Sequence, residues 1–147
     1  EQEIMKTNEE KSKKNYQMLL FCLNVGLSIE YDENNNTFQF NQLTVCDDIA
    51  SLNSYSYVCI NDIVLLFGGW NGKADNRNIV SKSVYKYSIR ENKWTTFKNT
   101  LPSQLRDSIA ILDEENNHIY IIGGSNKKGK VSNHVEFKAL STHMKTK

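Results

Sequence analysis

The run Gly124-Ser125-Asn126-Lys127-Lys128-Gly129-Lys130 has the glycines and the lysine of a phosphate-cradling loop, and it follows an apolar stretch that reads as a strand. Such a loop needs a hydroxyl directly after its lysine to hold Mg²⁺, and a helix N-terminus to face the phosphate. Val131 stands where the hydroxyl belongs, and the segment beyond it alternates like a strand. The lysines therefore read as a solvated basic loop. His118, His134 and His143 lack metal-ligand spacing and have no acidic companions at helical intervals. Cys22, Cys46 and Cys59 are odd in number and show no C-x-x-C spacing, which points to reduced thiols, two of them in strand cores. Asn35-Asn36-Thr37 fits a glycosylation acceptor, a signal that matters only on a secreted chain. These residues assemble no catalytic centre, and neither a metal nor a cofactor is expected.

The chemistry left to the chain is recognition. Trp70 opens a long polar loop over residues 70–80 (WNGKADNRNIV) that carries Lys73 and Arg77. Exposed Trp, Tyr and Arg dominate the energetics of interfaces, so Trp70 is a candidate contact residue. The alternative is that it caps its own strand and nothing more. Arg106, Lys127, Lys128 and Lys130 are the other cations placed near strand starts and ends of the same kind.

The elements that must position these residues centre on residues 63–70 (IVLLFGGW), an apolar run stopped by two glycines and echoed at residues 119–124 (IYIIGG). Four to eight apolar residues bounded by turn formers read as a strand buried on both faces. Paired glycines at its end permit positive φ and close approach of a neighbouring backbone. Gly68 and Gly123 stand 55 positions apart. Between them, residues 83–90 (SVYKYSIR) alternate like a half-buried strand, a turn follows, and a last strand opens on Trp94.

That order of strand, diglycine, loop, strand with Tyr87, turn and strand with Trp94 resembles the kelch repeat, one four-stranded blade of a β-propeller, and the spacing suits its roughly 50-residue period. Residues 16–45 look like a worn copy. Tyr31 and Phe38 are seven positions apart, as are Tyr87 and Trp94, with an acidic, Asn-containing turn between each pair. The resemblance implies an all-β chain, a partial kelch propeller of about three four-stranded antiparallel blades with the last incomplete. The blades are expected at residues 16–45, 52–100 and 106–140, after a polar disordered or linker segment 1–15 and before a basic tail 141–147. Residues 16–23 and 27–31 are expected as buried strands, 38–43 as an alternating one, and 133–140 as the last. Pro102, the only proline, marks a crossing between blades. Gly68, Gly69, Tyr87, Trp94, Gly123 and Gly124 are the structural positions of the motif.

At 147 residues the chain is about one domain long, and 39% hydrophobic content with a net charge of +1 is ordinary for a globular protein. Near-neutral charge argues against nucleic acid. The longest other apolar region, residues 18–29, is broken by Asn24 and Gly26 and is too short to span a membrane. Lys11, Lys13 and Lys14 ahead of it loosely mimic a leader, but the small-residue cleavage pattern is missing, so a cytoplasmic location is expected. The chain opens on Glu1 rather than Met, as a piece of a longer protein would.

Function follows from the resemblance as an expectation: a non-catalytic module that binds partner proteins through blade loops, of the substrate-adaptor or actin-scaffold type. The alternative is part of a kelch-propeller enzyme domain of the oxidase or sugar isomerase type. The expected binding rim comprises Trp70, Lys73, Arg77, Arg106, Lys127, Lys128 and Lys130, opposed by one acid, Asp75, and suited to acidic peptides or protein surfaces. Three imperfect blades also leave open faces, so self-association or a larger parent chain is expected to complete the ring.

Overall fold

A computed structural model describes residues 15–131 and 134–138. The expectations for the polar N-terminal segment, the basic tail and His143 lie outside the described residues, as do the ends of the expected last strand.

Three antiparallel sheets follow one another along the chain. The first is a meander of β1 (Asn15–Cys22), β2 (Val25–Asp32) and β3 (Thr37–Leu43). A four-residue helix, α1 (Asp47–Ala50), leads into the second sheet. That sheet has four strands in chain order, β4 (Ser56–Ile60), β5 (Ile63–Phe67), β6 (Val84–Ser88) and β7 (Lys93–Thr96). The third contains β8 (Ile109–Asp113) and β9 (His118–Ile122). A small hairpin, β10 (Ser125–Asn126) with β11 (Gly129–Lys130), occupies the basic loop. β12 (His134–Lys138) then pairs with β9 to complete the third sheet.

Four of the hairpins share one local device. Asn36, Asn61, Asn92 and Asn117 turn the β2–β3, β4–β5, β6–β7 and β8–β9 connections with φ of 50°, 55°, 47° and 56°. Asparagine tolerates this left-handed region better than other residues with a Cβ. Two of these turns are also the same turn chemically. Tyr31 lies opposite Phe38 and Tyr87 opposite Trp94. The Tyr31 hydroxyl donates to Asn36 Oδ1 at 3.0 Å, and the Tyr87 hydroxyl to Asn92 Oδ1 at 2.9 Å. β1, β2 and β3 therefore correspond to β5, β6 and β7. The diglycines ending β5 and β9 align β8, β9 and β12 with β4, β5 and β6. Among the described residues the first sheet has no counterpart of β4, and the third none of β7.

The core lies between sheets. β5 is buried on both faces, which explains its unbroken apolar sequence. Leu65 and Phe67 face the third sheet, in a cluster with Val58, Val84, Ile119 and Ile121. Val64 and Leu66 face the first, with Tyr85, Tyr87 and the helix residue Ile49. Phe21 of β1 wedges into that second cluster, its ring centroid 4.9 Å from those of both Tyr87 and Trp94. Trp94 is half-buried, and its Nε1 donates to the Thr44 carbonyl at 2.7 Å, tying β7 to the chain beyond β3.

Three expectations are corrected. Residues 15–22 form a strand, but not a buried one: Tyr16, Met18 and Leu20 are exposed on an outer face shared with Phe38 and Phe40, and only Leu19 and Phe21 pack inward. That face has no further sheet against it among the described residues. The cysteines are not strand-core thiols. Cys22 and Cys59 lie on strands but are exposed, Cys46 is partly buried before the helix, and all three are free. The helix was not anticipated. Its single buried residue, Ile49, belongs to the cluster that holds Tyr85, and Asp48 Oδ2 accepts from Thr96 Oγ1 at 2.7 Å.

Candidate functional site

The diglycines bring the rim together. Gly68 has φ 71° and Gly69 φ 113°. The Gly69 N–H donates to the Leu105 carbonyl at 2.9 Å, and the Leu105 N–H to the Ser81 carbonyl at 2.9 Å. A Cβ on Gly68 would sit 2.1 Å from the Leu105 carbonyl oxygen, so the close approach requires glycine. Leu105 thus delivers Arg106, three residues ahead of β8, to the end of the second sheet. Its guanidinium carbon lies 4.2 Å from the centroid of the Trp70 ring. Stacking of this kind contributes about 0.5–1 kcal/mol where exposed and more where water is excluded. Arg106 in turn exchanges two backbone hydrogen bonds of 2.9 Å with Ser125, fixing the β10–β11 hairpin beside it.

The loop after Trp70 is held by its own asparagines, which sequence reasoning did not single out. Trp70 exchanges two backbone hydrogen bonds of 2.7 Å with Asn53. Its indole Nε1 donates to Asn78 Oδ1 at 3.0 Å and to the Lys73 carbonyl at 3.2 Å. Asn71 Nδ2 donates to the Arg77 carbonyl at 2.7 Å, while Asn71 Oδ1 accepts from the Lys73 and Ile79 amides. The signal available in the sequence was the Asn-Gly pair at positions 71 and 72, a turn former. Trp70 caps its own sheet, and its ring lies under the Arg106 guanidinium.

The cations are not equivalent. Arg77 is bound to Asp75, Nη2 to Oδ2 at 2.7 Å, and these hydrogen bonds hold the Asp75 carboxyl below its ordinary pKa. Arg106 Nε is enclosed yet makes no hydrogen bond; its nearest carboxylate oxygen is Asp107 Oδ2 at 3.7 Å. Asp107 adopts φ 53°, a turn that swings its carboxylate back beside Arg106. The rim therefore has two acids, not the single Asp75 expected. Lys73, Lys127, Lys128 and Lys130 are exposed, and the basic run folds as a hairpin in which the Lys128 amide donates to Asn126 Oδ1 at 2.7 Å.

Antiparallel sheets stacked face to face, with the diglycine that ends β5 receiving the chain that leads into the third sheet, define the blades of a β-propeller, here a partial one. Residues 52–99, the whole second blade, match the kelch motif. The solved structure of YjhT is similar over 80% of this chain and 36% of that one, with a TM-score of 0.57 and 14% sequence identity. This likeness concerns the fold, and the chain spans about a third of that structure's length. No curated protein sequence matches the chain. Among the described residues no helix is long and apolar enough to cross a membrane.

Proposed function

We propose that the chain is a non-catalytic interaction module of the cytoplasm that binds acidic segments of partner proteins on the rim formed by Trp70, Lys73, Arg106 and the lysines of the β10–β11 hairpin. One observation carries this reading: the Arg106 guanidinium carbon lies over the Trp70 ring, 4.2 Å from its centroid, and its enclosed Nε makes no hydrogen bond. A guanidinium held on a rigid aromatic platform is preorganised to donate hydrogen bonds to a carboxylate. The hairpin lysines add attraction that speeds encounter at low salt. Arg77 contributes less, because Asp75 already neutralises it.

The test is a double charge reversal, Arg106→Glu with Lys128→Glu, and binding of a labelled poly-glutamate peptide followed at low and moderate salt. The parent binds saturably, and the variant loses binding while keeping its circular dichroism spectrum. Equal binding by a folded variant refutes the rim.

A further inference from the structure

Residues 71 and 72 are the chain's only Asn-Gly pair, and Asn71 holds the base of the Trp70 loop. The Asn71 N–H donates to the Ile79 carbonyl at 3.1 Å, and Asn71 Oδ1 accepts from the Ile79 and Lys73 amides at 3.0 and 3.3 Å. Asn71 Nδ2 donates to the Arg77 carbonyl at 2.7 Å. Gly72 is exposed at φ 74°, and among the described residues its own N–H makes no hydrogen bond. An unbonded amide directly after a side-chain carboxamide is a nucleophile with an electrophile in reach. Everywhere else in the chain the residue after an asparagine carries a Cβ that crowds this approach.

We infer that Asn71 and Gly72 form a self-modifying site, at which the Asn71 carboxamide deamidates through the Gly72 nitrogen and the product loosens the loop behind Trp70. Hydroxide takes the Gly72 amide proton, and the nitrogen bonds to Asn71 Cγ. The two amides already aimed at Oδ1 stabilise the oxyanion that forms there. The Cγ–Nδ2 bond then breaks, Nδ2 leaves as ammonia with a proton from water, and a cyclic succinimide remains. Water opens the ring, at Cγ to give aspartate or at the main-chain carbonyl carbon to give isoaspartate. One water is consumed and one ammonia released, with no oxidant or reductant.

The product cannot keep the latch. Oδ1 can still accept from Lys73 and Ile79, but an oxygen stands where Nδ2 was, facing another acceptor, the Arg77 carbonyl. Isoaspartate also lengthens the main chain by a methylene ahead of Lys73, whose carbonyl receives the Trp70 indole N–H. Charge changes as well. Lys73 and Arg77 against Asp75 leave the loop one positive charge, and the new carboxylate cancels it. Lowered affinity for acidic segments would follow on the rim reading proposed above; the modification itself does not depend on it.

The test ages the full chain at mildly alkaline pH and maps its peptides by mass spectrometry, with isoaspartate counted by enzymatic methylation. Conversion at Asn71 is expected ahead of every other described asparagine, including the hairpin residues Asn36, Asn61, Asn92 and Asn117. Gly72→Ala, whose Cβ meets nothing closer than Asn53 Nδ2 at 3.7 Å, is expected to keep Asn71 intact over the same time. Asn71→Asp reproduces one product, and amide hydrogen exchange over residues 71–79 should quicken at least about threefold, the loss of one hydrogen bond. That measurement serves if Gly72→Ala fails to fold. Both are made without ligand, so a failure of the rim is told apart from a failure of this site. Survival of Asn71 while other asparagines convert overturns the proposal. So does parental conversion in folded Gly72→Ala, or unchanged exchange in Asn71→Asp.

Discussion

Gly68→Ala and Gly123→Ala form a matched pair that separates backbone strain from contact between blades. The two glycines occupy the same motif position with nearly equal φ, 71° and 68°. An alanine in the left-handed region costs about 1–2 kcal/mol, and both variants carry that cost. Their surroundings differ. A Cβ at Gly68 meets the Leu105 carbonyl at 2.1 Å, whereas at Gly123 no described atom lies within 4 Å. Relieving the Gly68 overlap moves Leu105 away and breaks the buried Gly69–Leu105 hydrogen bond of 2.9 Å, a further loss of about 1–3 kcal/mol. Gly68→Ala should therefore cost about 2–5 kcal/mol in all, and Gly123→Ala about 1–2 kcal/mol. Urea unfolding followed by Trp fluorescence measures both, and the Trp70 signal reports whether Arg106 has moved. Costs equal to within about 0.5 kcal/mol would refute the view that Gly68 is where the third blade docks.

Trp94→Ala should destabilise by about 2–3 kcal/mol, less than a fully buried ring would, because Trp94 is half-buried yet wedged on Phe21 and bonded to Thr44; chemical denaturation checks this. Tyr55 is pushed up to about 12 from 10.0 by burial and the nearby Cys22. A raised pKa favours the protonated form in the folded state, so its contribution is complete below pH 10 and is lost as pH rises toward 12. Alkaline unfolding in that window should flatten in Tyr55→Phe. Asp75→Asn should release Arg77, giving faster association with poly-glutamate at low salt, as stopped-flow would show; an unchanged rate would mean that Arg77 lies outside the encounter surface.

The blade plan was legible because each cue is local and tied to one physical need. The diglycine marks positive φ, and the seven-residue Tyr-to-aromatic spacing turns out to be a single hairpin with its Tyr–Asn hydrogen bond. Burial was less legible. Residues 16–23 are as apolar as residues 63–67, but only a strand with a sheet on each side is buried twice, and sequence does not state how many neighbours a strand has. The helix escaped because four residues carry too little periodicity. At the rim, residue types located the cations, but not the side-chain carboxylates of Asp75 and Asp107 that distinguish Arg77 from Arg106. Those pairings arise from loop conformation, set by the Asn71 hydrogen bonds and the left-handed turn at Asp107.

Trp70 belongs to one blade and Arg106 to the next. A ligand seated on both is therefore a measure of the distance between two structural units, and its occupancy is thermodynamically linked to their docking. Such linkage is reciprocal. Whatever binds the stack resists separation of the blades, by an amount that grows with the logarithm of ligand concentration. Conversely, a lesion buried at Gly68, remote from any bound partner, should be felt by that partner as weakened affinity, although no contact with it has been touched.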